Sequence, residues 1–295
     1  MENKNIWVVC GPTASGKTAL AIDLAKRLGA EILSADSRQV YRELNIGVAR
    51  PEPEELNTIT HHFIATISIH EPYSAGRYAR EARAFLNQYF ENHNHLILCG
   101  GTGLYIRALL EGIDRDPVNP VLQEDLNIRL EKEGLPALAS ELRRLSPALA
   151  AQTDLQNPQR VIRAMGWSLS GEQSRETEPL PANWKIRKLA PYLSREQLYE
   201  RINQRGDLMM HKGLWDEAEA LFPFRNLQAL QTVGYRELFD CMEGKINRQE
   251  AIEKIKQHSR NYAKRQLTWF RRDESIHWLK DVRPEAWPGE WNLRP

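Results

Sequence analysis

The chain has 295 residues, 41% of them hydrophobic, which is enough for one large domain or two smaller ones with a buried core. Lys and Arg number 40 against 39 Asp and Glu, so net charge excludes no class of partner and only local clusters are informative. No apolar leader and no run of about 18 apolar residues is present, so the expectation is a cytoplasmic protein without a membrane segment. Cys10, Cys99 and Cys241 are scattered, without C-x-x-C spacing, and read as small core residues rather than metal ligands.

In chain order, the apolar run Ile6-Trp7-Val8-Val9-Cys10 reads as a strand. It leads into Gly11-Pro12-Thr13-Ala14-Ser15-Gly16-Lys17-Thr18, which opens a helical pattern from Lys17 to about Leu28. Strand, glycine loop and helix together are the context of a phosphate-binding loop. Gly11 and Gly16 allow the tight backbone path that turns N–H groups inward, and the helix N-terminus adds its positive dipole end. Lys17 supplies a point charge for phosphate oxygens, and the Thr18 hydroxyl is placed to ligate magnesium. These residues imply a phosphorylated ligand.

Gly29 leads to a second strand, Glu31 to Ser34, parallel to the first through a right-handed crossover. Asp36-Ser37-Arg38-Gln39 follows at that strand's carboxyl end, where ligands sit in an open parallel sheet. Asp36 has two readings, a catalytic group or the N-cap of a segment starting near Arg38. Residues 50–57 read as a surface loop. His61 and His62, adjacent in an extended segment, point to opposite faces and do not suggest a shared metal site. A helix is predicted from Ala75 to about Phe90, with Arg77, Arg80 and Arg83 as a solvated face.

The buried strand Leu96 to Cys99 runs into Gly100-Gly101-Thr102-Gly103. ATP-splitting proteins of the P-loop class usually carry a magnesium-holding acid in this region, whereas here glycines and a threonine stand. The glycines would let a substrate approach the backbone, and the Thr102 hydroxyl could donate to phosphate; a plain turn with Thr102 as N-cap is the alternative.

Residues 114–120 read as a linker, and from Val121 to about Gly171 only helical patterns occur, at 121–133, 136–145 and 158–170. This is an all-helical insertion. Arg160 and Arg163 share a helix face there, open to phosphates or simply solvated. Glu172 to Asn183 is a polar loop, and Trp184 to Ala190 alternates as a strand returning to the sheet. Helices follow at about 195–211 and 214–221, then Val233-Gly234-Tyr235-Arg236, then a long helix at roughly 248–271. Between Lys254 and Arg272 that helix carries seven cations and no acid, with Tyr262, Trp269 and Phe270 interleaved. Basic residues with aromatics favour RNA, the alternative being a core stripe with a solvated back. The fold class expected is α/β: a P-loop, kinase-like parallel-sheet core from residues 1–115 and 184–295, with the helical insertion at 116–183.

With these pieces in line, the chain resembles the bacterial tRNA dimethylallyltransferases (tRNA isopentenyltransferases). The matching stretches are the P-loop with its Thr-Ala-Ser core, Asp36-Ser37-x-Gln39-Val40-Tyr41-Arg42, Pro72-Tyr73-Ser74-Ala75-Gly76 and Gly100-Gly101-Thr102-Gly103-Leu104-Tyr105. Then come Gln159-Arg160-x-x-Arg163, Val233-Gly234-Tyr235-Arg236 and Tyr262-Ala263-Lys264-Arg265-Gln266-x-x-Trp269-Phe270-Arg271, in the family's order.

The resemblance implies transfer of a dimethylallyl group from dimethylallyl diphosphate to N6 of adenosine 37, beside the tRNA anticodon. It implies that Gly11 through Thr18 hold the donor's diphosphate, a site often described as nucleotide- or ATP-binding, with Mg2+ on Thr18. Asp36 would be the general base, and Thr102 and Arg236 would brace the leaving group. The tRNA contacts implied are Asp36, Ser37, Arg38, Gln39 and Thr102, then Gln123, Gln159, Arg160, Val161, Ile162 and Arg163 of the insertion, which would embrace the anticodon stem-loop. Gln123 and Gln231 depart from arginines found in some members. A monomer is expected. The rival readings are a P-loop small-molecule or nucleotide kinase, which leaves the aromatic-basic helix unexplained, and a non-catalytic RNA-binding protein, which leaves Lys17, Thr18 and Asp36 without a purpose.

Overall fold

The computed structural model describes residues 4–112, 119–170 and 180–281; most of the 114–120 linker and much of the 172–183 loop lie outside the described residues. The chain divides into two compact units, Met1–Leu110 with Leu180–Pro295, and Glu111–Pro179.

The first unit is built on a parallel sheet. Its strands are β1 (Lys4–Cys10), β2 (Glu31–Ser34), β3 (His61–His62), β4 (His95–Gly100), β5 (Trp184–Pro191) and β6 (Ile276–Leu279), in the order β3-β2-β4-β1-β5-β6. The period-two alternation of β1 explains why both faces are covered. Ile6, Val8 and Cys10 enter one core, and Trp7 and Val9 enter the other. Helix α1 (Lys17–Leu28) covers the second face with Leu20, Ala21, Leu24 and Ala25, between αL glycines, Gly16 and Gly29. Helices α3 (Ala75–Asn92) and α4 (Gly103–Leu110) cover the first with Tyr78, Ala82, Leu86, Tyr105 and Leu109.

After β1 the chain steps to one side for β2, and after β4 it crosses to the other for β5. Reversal of strand order opens a crevice at the carboxyl ends of β1 and β4. Helices α9 (Arg195–His211), α10 (Leu214–Leu221), α11 (Tyr235–Met242) and α12 (Arg248–Phe270) complete the unit. A separate core joins α10, α11 and the start of α12 to Val40, Tyr41, Leu44 and Ile67.

The second unit, by itself, consists of α5 (Pro120–Glu133), α6 (Leu135–Leu145), α7 (Pro147–Gln152) and α8 (Pro158–Ser170) around Leu126, Leu138, Leu142, Val161, Ile162 and Met165. Pro120, Pro136, Pro147 and Pro158 fall in first turns, where a missing N–H costs nothing.

Three local expectations change. Most of residues 50–57 belong to helix α2 (Pro53–Thr58), because Glu52 and Glu55 form a capping box around Pro53. No helix begins after Asp36; the segment is a series of turns. The terminal strand β6, absent from the sequence reading, pairs in parallel with β5 at Lys188↔Ile276 through Pro191↔Leu279.

Candidate active site

Three loops meet at the carboxyl edge of the sheet, following β1, β2 and β4. The first is the P-loop. Gly11 (φ 141°) and Gly16 (φ 89°) supply its positive-φ turns, and Ala14 takes φ 62° at its tip without being glycine. Ala14 packs against a small core of Leu198, Ile202 and Ala263 from α9 and α12, which explains how the strained residue is held. Lys17 Nζ donates to the Pro12 carbonyl at 3.3 Å. Burial lowers the Lys17 pKa, with the Arg205 charge acting in the same direction and Cys99 and Asp36 opposing it. The Ser15 hydroxyl is buried and has no hydrogen-bond partner among the described residues, an orphan group inside the glycine loop.

Asp36 lies where β2 ends. Its Oδ1 accepts from the N–H groups of Arg38 at 2.9 Å and Gln39 at 3.3 Å, so it caps a turn rather than a helix. Thr102 faces it from the loop after β4. Thr102 Oγ1 accepts from the Ser37 N–H at 3.0 Å and donates to Ser37 Oγ at 3.3 Å. Thr102 also stands just before α4, where its carbonyl accepts from the Tyr105 and Ile106 N–H groups at 2.9 and 3.2 Å, so the residue begins the helix while its hydroxyl engages Ser37. The backbone holds the two loops together as well, through Ala35 N–H to Cys99 O at 2.7 Å and Thr102 N–H to Ala35 O at 3.2 Å.

The glycines of the Gly-Gly-Thr-Gly turn are required by packing within the protein. A Cβ on Gly100 would lie 2.2 Å from the Ala35 carbonyl oxygen, one on Gly101 2.5 Å from Gln266 Nε2, and one on Gly103 2.1 Å from Trp269 Nε1. Helix α12 is thus pressed directly onto the turn. From it, Tyr262 comes within side-chain hydrogen-bonding reach of Thr102; burial of its hydroxyl end and the Asp36 charge push the phenol up to about 12. Gln266 donates through Nε2 to Gly101 O and accepts through Oε1 from Thr13 N–H, both at 2.8 Å.

A further cation arrives from α9. Arg205 Nη1 donates to Thr13 Oγ1 at 3.0 Å, and its guanidinium pKa is lowered by burial and raised by the Asp36 carboxylate. Arg201, from the same helix, approaches Gly16. Arg236 is exposed in the first turn of α11; its backbone N–H donates to the Thr232 carbonyl at 3.3 Å, and its guanidinium has no hydrogen bond or ion pair among the described residues, whereas Arg205 is anchored at the loop itself. Neither Arg205 nor Gln266 was singled out from sequence for chemistry.

The other expected contact residues separate into free and committed groups. Arg38 donates to the carbonyls of Gln228 and Ala229, and Gln39 to those of Val48 and Ala49, so both side chains shape the surrounding loops. In the helical unit, Val161 and Ile162 are core residues, which leaves Gln159, Arg160 and Arg163 as the exposed part of that stretch. Arg160 also has an acidic neighbour, Asp154, at 3.6 Å. Gln123 is exposed on α5.

Residues 39–273 match the family model described as IPP transferase. The chain is 45% identical to a tRNA dimethylallyltransferase of Cytophaga hutchinsonii over 284 residues, 94% of this chain and 93% of the relative. It is 42% identical to one from Chlorobium chlorochromatii, covering 97% and 96%. Among solved structures, the full-length tRNA isopentenylpyrophosphate transferase of Bacillus halodurans superposes with a TM-score of 0.70 at 34% identity, covering 94% of this chain and 90% of that one. A eukaryotic dimethylallyltransferase acting on tRNA gives 0.78 at 23% identity over 96% and 75%, a likeness of fold.

Proposed function

Because the chain belongs to the tRNA dimethylallyltransferase (IPP transferase) family, we propose that it carries a dimethylallyl group from dimethylallyl diphosphate to N6 of adenosine 37 in the tRNA anticodon loop. The observation that supports this most directly is electrostatic: one carboxylate, Asp36, stands in the field of both Lys17 and Arg205 beside a phosphate loop. That arrangement suits a reaction in which a proton leaves an amine while an anion departs from carbon.

In the step, the C1–O bond of the donor breaks and the N6–C1 bond forms. The N6 proton passes to Asp36, and the products are N6-(dimethylallyl)adenosine and diphosphate. An aryl amine is a weak nucleophile, so a base contributes at the moment its proton acidifies. Diphosphate leaves well only when its growing charge is neutralised, the task of Lys17, Arg205 and the N–H groups at the start of α1. Thr102, held to Ser37, orients the acceptor beside Asp36.

The residues present suit a magnesium ion. The Thr18 hydroxyl and the donor's own phosphate oxygens make the kind of sparse oxygen set that Mg2+ takes, and the orphan Ser15 hydroxyl marks the same loop as built for an anion. The ion would supply further neutralisation of the leaving group. Adenosine 37 would reach Asp36 flipped out of its loop, and the exposed Gln159, Arg160 and Arg163 would meet tRNA phosphates.

The test is transfer of labelled dimethylallyl to an unmodified anticodon stem-loop bearing A36 and A37, with magnesium, against a loop lacking A37. Label on A37 alone is expected. Stem-loop binding without label in either substrate would overturn the assignment.

A further inference from the structure

Gln266 is 6% exposed, and both ends of its amide are engaged. Oε1 accepts from the Thr13 N–H at the tip of the P-loop, and Nε2 donates to the Gly101 carbonyl beside Thr102. A single side chain from α12 therefore joins the loop that follows β1 to the loop that follows β4. Neither bond belongs to helix or sheet.

The two loops have different tasks in the transferase reading, on which this inference rests. The P-loop side grips the donor's diphosphate; the Thr102 side, with Ser37 and Asp36, receives the acceptor amine. The reacting carbon and nitrogen come from separate molecules, so their approach depends on how these two backbones are spaced. Effective alignment requires the atoms to lie within roughly 3–3.5 Å of one another, and a 1 Å misplacement costs on the order of 10²-fold.

We propose that Gln266 is a positioning residue that sets this spacing. Gly101 is glycine for the same reason, since a Cβ there would lie 2.5 Å from the Gln266 amide nitrogen. The packing of α12 does not depend on the amide, because Ala263 and Phe270 seat the helix in two other cores. Thr13 is held on a second side by Arg205, so the tip of the loop has both its N–H and its hydroxyl directed at protein. The donor is then left with the later N–H groups of the loop and the start of α1.

The amide is well suited to this bridge because it presents a donor and an acceptor from one rigid plane. Glutamate has the same shape but, when ionised, offers acceptors only, and faces the Gly101 carbonyl with a like partial charge. Protonated, it can make both bonds again. Methionine fills similar space and makes neither.

The experiment measures dimethylallyl transfer to the anticodon stem-loop by the full chain as wild type, Gln266→Met and Gln266→Glu. An inactive wild type would remove the transferase reading itself and this inference with it. With wild type active, kcat of Gln266→Met is expected to fall by about 10–100-fold while the donor KM and stem-loop affinity stay within about threefold. Activity of Gln266→Glu relative to wild type should rise as pH is lowered. A Gln266→Met kcat within about twofold of wild type would overturn the proposal, as would an equal loss of kcat and of affinity for inorganic diphosphate and stem-loop. Should the methionine variant not fold, the pH profile decides: a flat or falling ratio for Gln266→Glu would sink the idea.

Discussion

Arg205 reaches the tip of the P-loop by donating to the Thr13 hydroxyl at 3.0 Å, from a helix 192 residues further along the chain. Its guanidinium is held where it can share a diphosphate with Lys17, and Asp36 lies close enough to influence the charge of both. Preorganised charges of this kind act on the departing anion without reorganisation at the moment of reaction.

Replacement of Arg205 by alanine is therefore expected to lower kcat by about 10²–10³-fold. Arg236→Ala, which removes a guanidinium with no partner holding it among the described residues, should cost less affinity for inorganic diphosphate than Arg205→Ala. Titration calorimetry with diphosphate, beside steady-state kinetics, distinguishes the two sites; a larger loss of diphosphate affinity for Arg236→Ala would reverse their roles.

Asp36 caps its turn and is the base in the proposed reaction, and Asp36→Asn separates these duties. The amide oxygen can still accept from the Arg38 and Gln39 N–H groups, so folding and tRNA affinity should hold. Turnover should fall by about 10²–10⁴-fold. Unchanged turnover on the stem-loop would remove Asp36 from the chemistry.

Lys17 predicts a proton linkage. Burial lowers its pKa from 10.5 in the folded state, so between the lowered value and 10.5 the unfolded chain binds more protons. Through that window this group's contribution makes the free protein more stable as pH rises, and below it the cost of burying the ammonium is present in full. Bound diphosphate favours the ammonium, so binding in that window takes up protons. Calorimetry in buffers of different ionisation heat should show this uptake, and Lys17→Met should abolish it.

The glycine turn predicts a graded series. Gly103→Ala meets the edge of Trp269, a side chain that can shift, and should cost about 1–3 kcal/mol of stability. Gly100→Ala meets the Ala35 carbonyl, which is backbone and cannot yield, and should cost more. Denaturant unfolding of both variants measures the order; a Gly103→Ala variant as stable as wild type would show that α12 is not pressed onto the turn.

Much of the site was legible because its signals are local. The P-loop announces itself in eight consecutive residues, and Asp36 and Thr102 are found from the rule that chemistry gathers at strand carboxyl ends. Arg205 and Gln266 gave no such signal. Arg205 sits in a polar helix whose charges resemble a solvated face, and Gln266 lies among cations that point to RNA. Only the packing of α9 and α12 over the loop brings them to it. The glycines mark close approach, and the protein groups that approach are Ala35, Gln266 and Trp269, which no spacing encodes. Helix α2 was missed despite its Glu52–Pro53–Glu55 signature because prolines and acids at 50–57 were weighed as a loop.

The position of β1 has a consequence for biosynthesis. β1 is hydrogen-bonded to β4 on one side and β5 on the other, with Lys4 opposite Trp184. A growing chain exposes one flank of its first strand until β5 leaves the ribosome, on the order of 10–40 s at about 5–20 residues per second. During that interval an apolar strand edge is open to pairing with other nascent chains. The glycine loop at its end also lacks Arg205 and Gln266, so products of premature termination carry that loop with its overlying helices missing, and fragments ending before α9 should aggregate rather than compete for prenyl donor.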